Sequence, residues 1–329
     1  MFHIPVLLKE TLRYLDPKPG ENFVDATLGG AGHTMAIFKK NAPDGKVLGI
    51  DLDSEMIKNT RSKIQIQDSR FKNNLILVND SFVNLKNIVE EYDFKPINGI
   101  LFDLGMSSWH LEESGRGFSF QKNEPLDMRY DKQVKSQKLK VKSSSQNSKI
   151  SNKELTAERI INYWSEKELE RIFREYGEER FSRRIAERIC EERKRGRIKT
   201  TFQLIEIIRR AFPKKYKFAK ISRRRTFGSI RSRHFATRVF QALRITVNDE
   251  LGNLERVLPQ ALEILEPRGR IVVIAFHSLE DRIVKYFFKD QAKLDQLEII
   301  TKKPVRPTDD EIRKNPRSRS AKLRAAIKI

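Results

Sequence analysis

Residues 25–33 read DATLGGAGH, with glycine at 29, 30 and 32 and histidine at 33. A short strand, Asn22-Phe23-Val24, is expected before them, and residues 34–40 have the composition of a helix. A strand that runs through a glycine-rich turn into a helix is the form of a nucleotide or cofactor cradle. Glycine reaches positive φ there and lets a ligand approach main-chain N–H groups. An ATP or GTP loop would place Lys-Ser/Thr after its last glycine, whereas Gly32 is followed by His33-Thr34. A dinucleotide fingerprint would space its glycines G-x-G-x-x-G, and this loop spaces them G-G-x-G-H. What remains is a cradle for an adenosine ligand without phosphates, with a plain tight turn as the competing reading.

Outward from this loop, short apolar runs recur, each closing on a polar residue. VLGID (47–51), LILVND (75–80) and GILFD (99–103) alternate with helix-like segments, and RIVVIAF (270–276) resumes the pattern much later. Continuous apolar runs of this length suit strands buried on both faces of a parallel sheet. Residues 297–301 and 323–329 complete a set of seven strands. The fold class is therefore α/β, Rossmann-like and mostly parallel, with the sheet split in sequence by an inserted helical domain. The expected organisation is a first core segment at 1–110, an insert at 111–235 and a second core segment at 236–329.

The strand ends suggest what the cradle holds, because ligands of open α/β sheets lie beyond the carboxyl ends of the strands. Asp51 closes the second strand about 20 residues past the loop, where a carboxylate can accept both ribose hydroxyls. Asp80-Ser81-Phe82 follows the third, where a polar group can meet the adenine amine and an aromatic ring can cover its face. Asp103 ends the fourth, suited to sit near a cationic sulfonium, whose attraction to a carboxylate grows as the local dielectric falls. Each acid alone is equally a strand-end turn or helix cap. Together, in this order, they read as the class I core of an S-adenosylmethionine-dependent methyltransferase.

The formal net charge is +22 over 329 residues, which marks nucleic acid as the expected partner. Between Glu206 and Asp249 there is no acidic residue, while Arg223, Arg224, Arg225, Arg233 and several lysines accumulate among Tyr216, Phe218, Phe227 and Phe235. Cations interleaved with aromatics suit a phosphate backbone with unstacked bases; a solvated charged loop is the bland alternative. A second basic stretch, 131–152, mixes lysine with serine, glutamine and asparagine and reads as a disordered loop. The rest of the insert shows helical spacing at 155–163, 166–176, 179–193 and 201–212. The single cysteine, Cys190, excludes an intramolecular disulfide and reads as a packed helix residue. The five histidines show no metal-ligand spacing, so no metal is expected. No apolar run approaches membrane-spanning length, and a cytoplasmic protein is the expectation.

Several longer blocks carry a resemblance. HIPVLL (3–8), DATLGGAGH, ILFDLGMSS (100–108), RGFSF (116–120), PLDMRYD (125–131), YGEERFSRRIA (176–186), ATRVFQALRITVNDEL (236–251), FHSLEDRIVK (276–285) and NPRSRSAKLRAA (315–326) run in order along nearly the whole chain. They resemble the family of small-subunit (16S) ribosomal RNA cytosine-N4 methyltransferases. The resemblance implies methylation of the exocyclic amine of one cytidine in the decoding region. It further implies a partner in the assembled or late-assembling small subunit, and leaves a homodimer open. Cofactor contacts implied by it fall on Ala31, Gly32, His33, Asp51, Phe82 and Asp103, with a further one at His110, where members usually have glutamine. Phe235 stands where members commonly have proline, and both basic stretches look longer than usual.

The amine of cytosine is a poor nucleophile because its lone pair is delocalised into the ring, so a hydrogen-bond acceptor must draw an N–H away. Many amino-methylating enzymes use Asp/Asn-Pro-Pro-Tyr/Phe after the fourth strand; this chain has Asp103-Leu104-Gly105-Met106-Ser107-Ser108 there. Asp103 is the first candidate for the acceptor and His277, at the end of the fifth strand, the second. Ser278 with Asp281 three residues later reads as a capping box, a structural use of the same block. Arg116, Asp127 and Arg129 are candidates for holding an extruded base. Competing readings are a nicotinamide-dependent dehydrogenase, a methyltransferase for another RNA position or atom, and a non-catalytic ribosome-assembly factor.

Overall fold

Strands form where the apolar runs are. Val47–Asp51 (β2) and Gly99–Asp103 (β4) are buried throughout except at the terminal aspartates, as strands covered on both faces must be. The computed structural model describes residues 4–65, 74–130, 155–213 and 234–329. With Phe23–Asp25 (β1), Leu75–Asn79 (β3), Arg270–Ala275 (β5), Leu297–Ile299 (β6) and Lys322–Lys328 (β7), they build one seven-stranded sheet in the order β3-β2-β1-β4-β5-β7-β6. The first five run parallel to one another, and β7 lies antiparallel between β5 and β6. This is the class I methyltransferase core.

From β1 the chain moves outward to β2 and β3, then crosses back to place β4 on the other side of β1. The order therefore reverses between β1 and β4, and the crevice at their carboxyl ends is the natural ligand site. Asp25 and Asp103 end those two strands. Gly32–Lys40 (α1) follows the glycine loop directly, and Ser278–Lys293 (α2) follows β5. Phe102, Val273, Leu258, Val284 and Phe288 pack on one face of the sheet. Phe23, Leu101, Val272 and Leu15 pack on the other.

The chain divides into two compact units, Met1–Ser107 with Leu251–Ile329, and Ser108–Glu250. Within the second, Glu166–Glu175 packs on Ser182–Arg193, which packs on Thr201–Ala211, burying Leu169, Phe173, Ile185, Ile189 and Leu204. Thr237–Asn248 joins them through buried Val239, Phe240 and Leu243. Residues 236–250, placed in the second core segment by sequence, thus cluster with the insert. Helical spacing identifies a helix but not the layer that receives it. The basic stretches 131–152 and 214–233 lie outside the described residues. Among the described residues no helix is long and apolar enough to cross a membrane.

Candidate active site

The glycine loop is braced from three sides. Leu28 N donates to Ile50 O at 2.8 Å, and Gly29 N donates to Asp51 Oδ2 at 2.8 Å, so β2 holds its outer limb. Gly29 (φ 48°) and Ala31 (φ 60°) both take the left-handed region, a strain that a β-carbon makes costly at Ala31. A side chain at Gly32 would collide with the Pro5 ring, so glycine is required there by packing. These turns present the amino end of α1, whose first N–H groups have no partner within the helix.

Four acids and one histidine converge beyond the strand ends, with different commitments. Asp25 is buried, accepting from the Thr34 hydroxyl at 2.6 Å and from Thr27 N at 3.2 Å. Burial raises its pKa above the usual 3.8, against the opposing hydrogen bond from Thr34 and the charge of His33. Thr27 in turn accepts from Asp103 N at 2.6 Å, tying the β1 and β4 ends together. Asp103 Oδ1 accepts from Gly105 N at 3.1 Å, while Oδ2 lies 3.5 Å from His33 Nε2, too far for a hydrogen bond. His33 is buried, and neither ring nitrogen has a hydrogen-bond partner. Asp51 also accepts from Asp53 N at 2.8 Å. Asp80 Oδ1 accepts from Ser81 N and Asn84 Nδ2 within its own turn. Phe82 packs edge-on to Phe102 with ring centroids 6.1 Å apart.

At the β5 end the expected capping box is displaced by one residue. The first helical residue is Ser278, so His277 is the cap and Glu280 its partner, rather than Ser278 and Asp281. His277 Nδ1 accepts from Glu280 N at 3.3 Å, and Glu280 Oε2 accepts from Phe276 N at 2.8 Å and His277 N at 3.2 Å. Sequence reasoning passed over histidine because it is not among the usual caps. With Nδ1 as acceptor, the neutral ring carries its proton on Nε2. That nitrogen lies 3.1 Å from Glu280 Oε1 without the alignment of a hydrogen bond. Asp281 instead receives Arg324 Nε at 2.7 Å and Lys322 Nζ at 3.0 Å.

In the insert, His110 is buried among the rings of Trp109, Phe118 and Tyr130, with centroids 5.1–5.4 Å away. Arg116 is also buried; its guanidinium donates to the carbonyls of Tyr130 and Arg129 and lies 4.9 Å from the Trp109 ring. Arg129 makes a bidentate pair with Asp127 at 2.6 and 2.9 Å. Both arginines expected to meet substrate thus fasten the insert's own loops. Arg223, Arg224, Arg225 and Arg233 lie outside the described residues.

The MraW methylase family matches residues 1–329. The chain belongs to this family. A curated relative from Halothermothrix orenii, named ribosomal RNA small subunit methyltransferase H, is 43% identical over 99% of this chain and 98% of its own. One of the same name from Dictyoglomus thermophilum is 44% identical over 98% and 95%. Among solved structures, an rRNA methylase from Streptococcus thermophilus aligns over 99% of each chain at 10% identity and a TM-score of 0.42. Strand order and family membership, not that loose likeness, carry the fold assignment.

For a methylase of the MraW family the donor set fits S-adenosylmethionine. The loop leads into the amino end of α1 and an orphaned buried imidazole, Asp51 ends β2 with its carboxylate against the loop, and no lysine stands where phosphates would need one. Sequence reasoning missed Asp25, Thr27 and Glu280. Asp25 opens the quoted motif, so its position was visible; its burial was not.

Proposed function

We propose that this methyltransferase of the MraW family transfers a methyl group from S-adenosylmethionine to the N4 amine of a cytidine in the decoding region of small-subunit ribosomal RNA. The observation that carries this reading is Asp103. Its carboxylate ends β4 at the switch point, one oxygen fixed by Gly105 N and the other directed toward the orphaned His33 imidazole. When bound, the cofactor supplies an electrophilic methyl on a sulfonium. The contribution of this chain is to hold the amine and take its proton. Asp103 Oδ2 accepts an N4–H, which turns the nitrogen lone pair toward the methyl, and holding the reactants in line supplies much of the remaining rate. Asp51, Phe82, Ala31, Gly32 and His33 hold the adenosine and its amino-acid tail. His277, its Nδ1 fixed as an acceptor, offers Nε2–H to the base.

The insert recognises RNA, with Arg223, Arg224, Arg225 and Arg233 on phosphates. A cytidine can be reached only where it is unpaired or extruded; the substrate of this proposal is the assembled or late-assembling subunit, met in the cytoplasm. The test incubates purified protein with isotopically labelled S-adenosylmethionine and either naked RNA or small subunits lacking the modification. Nucleosides are then analysed by mass spectrometry. Labelled N4-methylcytidine in the decoding region is expected. Label in another nucleoside would move the target, and no label despite cofactor binding would leave an assembly factor. Sedimentation of the same mixtures reports whether one copy or two engage the subunit.

A further inference from the structure

Strand β7 enters the sheet with Lys322 opposite Ala275, the last residue of β5. The residues just before it therefore stand at the carboxyl edge of the parallel strands, the edge that carries Asp51, Asp103 and His277. They form a short 3-10 turn, Pro316–Ser320, whose sequence PRSRS sets Arg317 and Arg319 on either side of Ser318. Ser318 is buried, its hydroxyl donating to Asn315 O at 2.8 Å, and both arginines are exposed.

This turn is joined to the cofactor loop through the amino-terminal segment. Asn315 Nδ2 donates to Ile4 O at 3.1 Å, Leu7 N donates to Glu311 Oε1 at 2.7 Å, and the intervening Pro5 ring rests on Gly32. A second basic stretch, Lys302, Lys303 and Arg306, is held alongside by the antiparallel bridge of Val305 with Leu323, whose two hydrogen bonds are each 2.9 Å. Those three and Arg319 are exposed and make no ion pair with any described residue. Lys322 and Arg324, a few residues on, are by contrast both paired with Asp281. Like charges gathered on a rigid rim repel one another, and an anionic chain laid across them relieves that cost.

We propose that Arg317 and Arg319, with Lys302, Lys303 and Arg306 beside them, form a phosphate-binding rim on the core itself. It grips the RNA strand next to the target cytidine, apart from contacts made by the insert. The inference rests on the reading of the substrate as RNA.

The test compares wild type with the double variants R317A/R319A and R317K/R319K in methyl transfer to small-subunit RNA. Cofactor affinity is measured in parallel by calorimetry. Each phosphate contact carries a slope of roughly 0.7 to 0.9 in log affinity against log salt, so two contacts are worth roughly 25- to 60-fold at about 0.1 M salt. The alanine variant should raise KM by that factor, with kcat and cofactor affinity unchanged; lysine should recover most of it, and rising salt should erase the gap. An unchanged KM in a wild-type background that does methylate RNA overturns the proposal. Loss of cofactor affinity with KM unchanged overturns it too, by making the turn a brace for the loop. Failure of the wild type to methylate RNA defeats the substrate reading first, and the rim with it. If the double alanine variant does not fold, Arg319→Ala alone should still raise KM by roughly 5- to 8-fold.

Discussion

Asp25 and Asp103 end neighbouring strands, yet only the second is free to act on a ligand. Asp25 has both oxygens occupied by Thr34 and Thr27 and is buried; Asp103 keeps Oδ2 uncommitted to any hydrogen bond. Sequence alone shows acids at strand ends, because the apolar runs before them are visible. It does not show which acid the helix beyond will cover, since that depends on how α1 settles on β1. Asp25 yields a pH prediction. Its folded pKa lies above the unfolded value of 3.8, so the native state binds the extra proton. Its stabilising contribution is full below that value and is lost as pH rises through the folded pKa. Asp25→Asn cannot titrate. Its melting temperature relative to wild type should therefore climb as pH is raised from about 4 to about 8, followed by circular dichroism. A constant difference would mean that Asp25 is ionised in the fold at little cost.

At the scale of elements, strand positions were legible and their order was not. VLGID and GILFD become β2 and β4 to the residue, because double burial demands an unbroken apolar run. The insertion of β7 between β5 and β6 leaves no such trace, since pairing partners are chosen by the whole sheet. The start of α2 moved by one residue for a related reason: an unusual cap, His277, does what serine was expected to do. That overlap of cap and candidate catalyst can be separated. Asparagine caps well, so His277→Asn should stay within about 0.5 kcal/mol of wild type, while His277→Ala loses about 1 kcal/mol. Methyl transfer should fall in both. Full activity in the asparagine variant would leave His277 a cap alone. The same first turn of α2 is also held by Asp281. Burial pushes its carboxyl up, but hydrogen bonds from Arg324 and Lys322 outweigh that and hold it below the usual 3.8. The pair therefore stabilises the fold above that pH and is lost as pH falls through the lowered value. Asp281→Asn strands the buried Arg324 and should cost about 3 kcal/mol in urea unfolding at neutral pH. A loss under about 1 kcal/mol would show that water reaches the guanidinium.

For the whole molecule, the net charge of +22 must be placed before it can be explained. Many arginines on the described helices of the insert face an acid one turn away, as Arg171 does Glu175, Arg183 does Glu187 and Arg209 does Glu206. Such pairs neutralise each other and leave little field. Residues 214–233, by contrast, hold nine lysines and arginines and no acid, so this tract carries a large share of the excess. If it meets RNA phosphates, every phosphate it ceases to neutralise should flatten the salt slope of RNA affinity by roughly 0.7 to 0.9. Replacing Arg223, Arg224 and Arg225 together with alanine should then lower the slope by roughly 2 to 3, while calorimetry finds cofactor binding unchanged. Filter binding across a salt series measures the slope directly. A slope equal to that of wild type would make the tract a solvated loop, and the excess charge would have to act through the rim on the core.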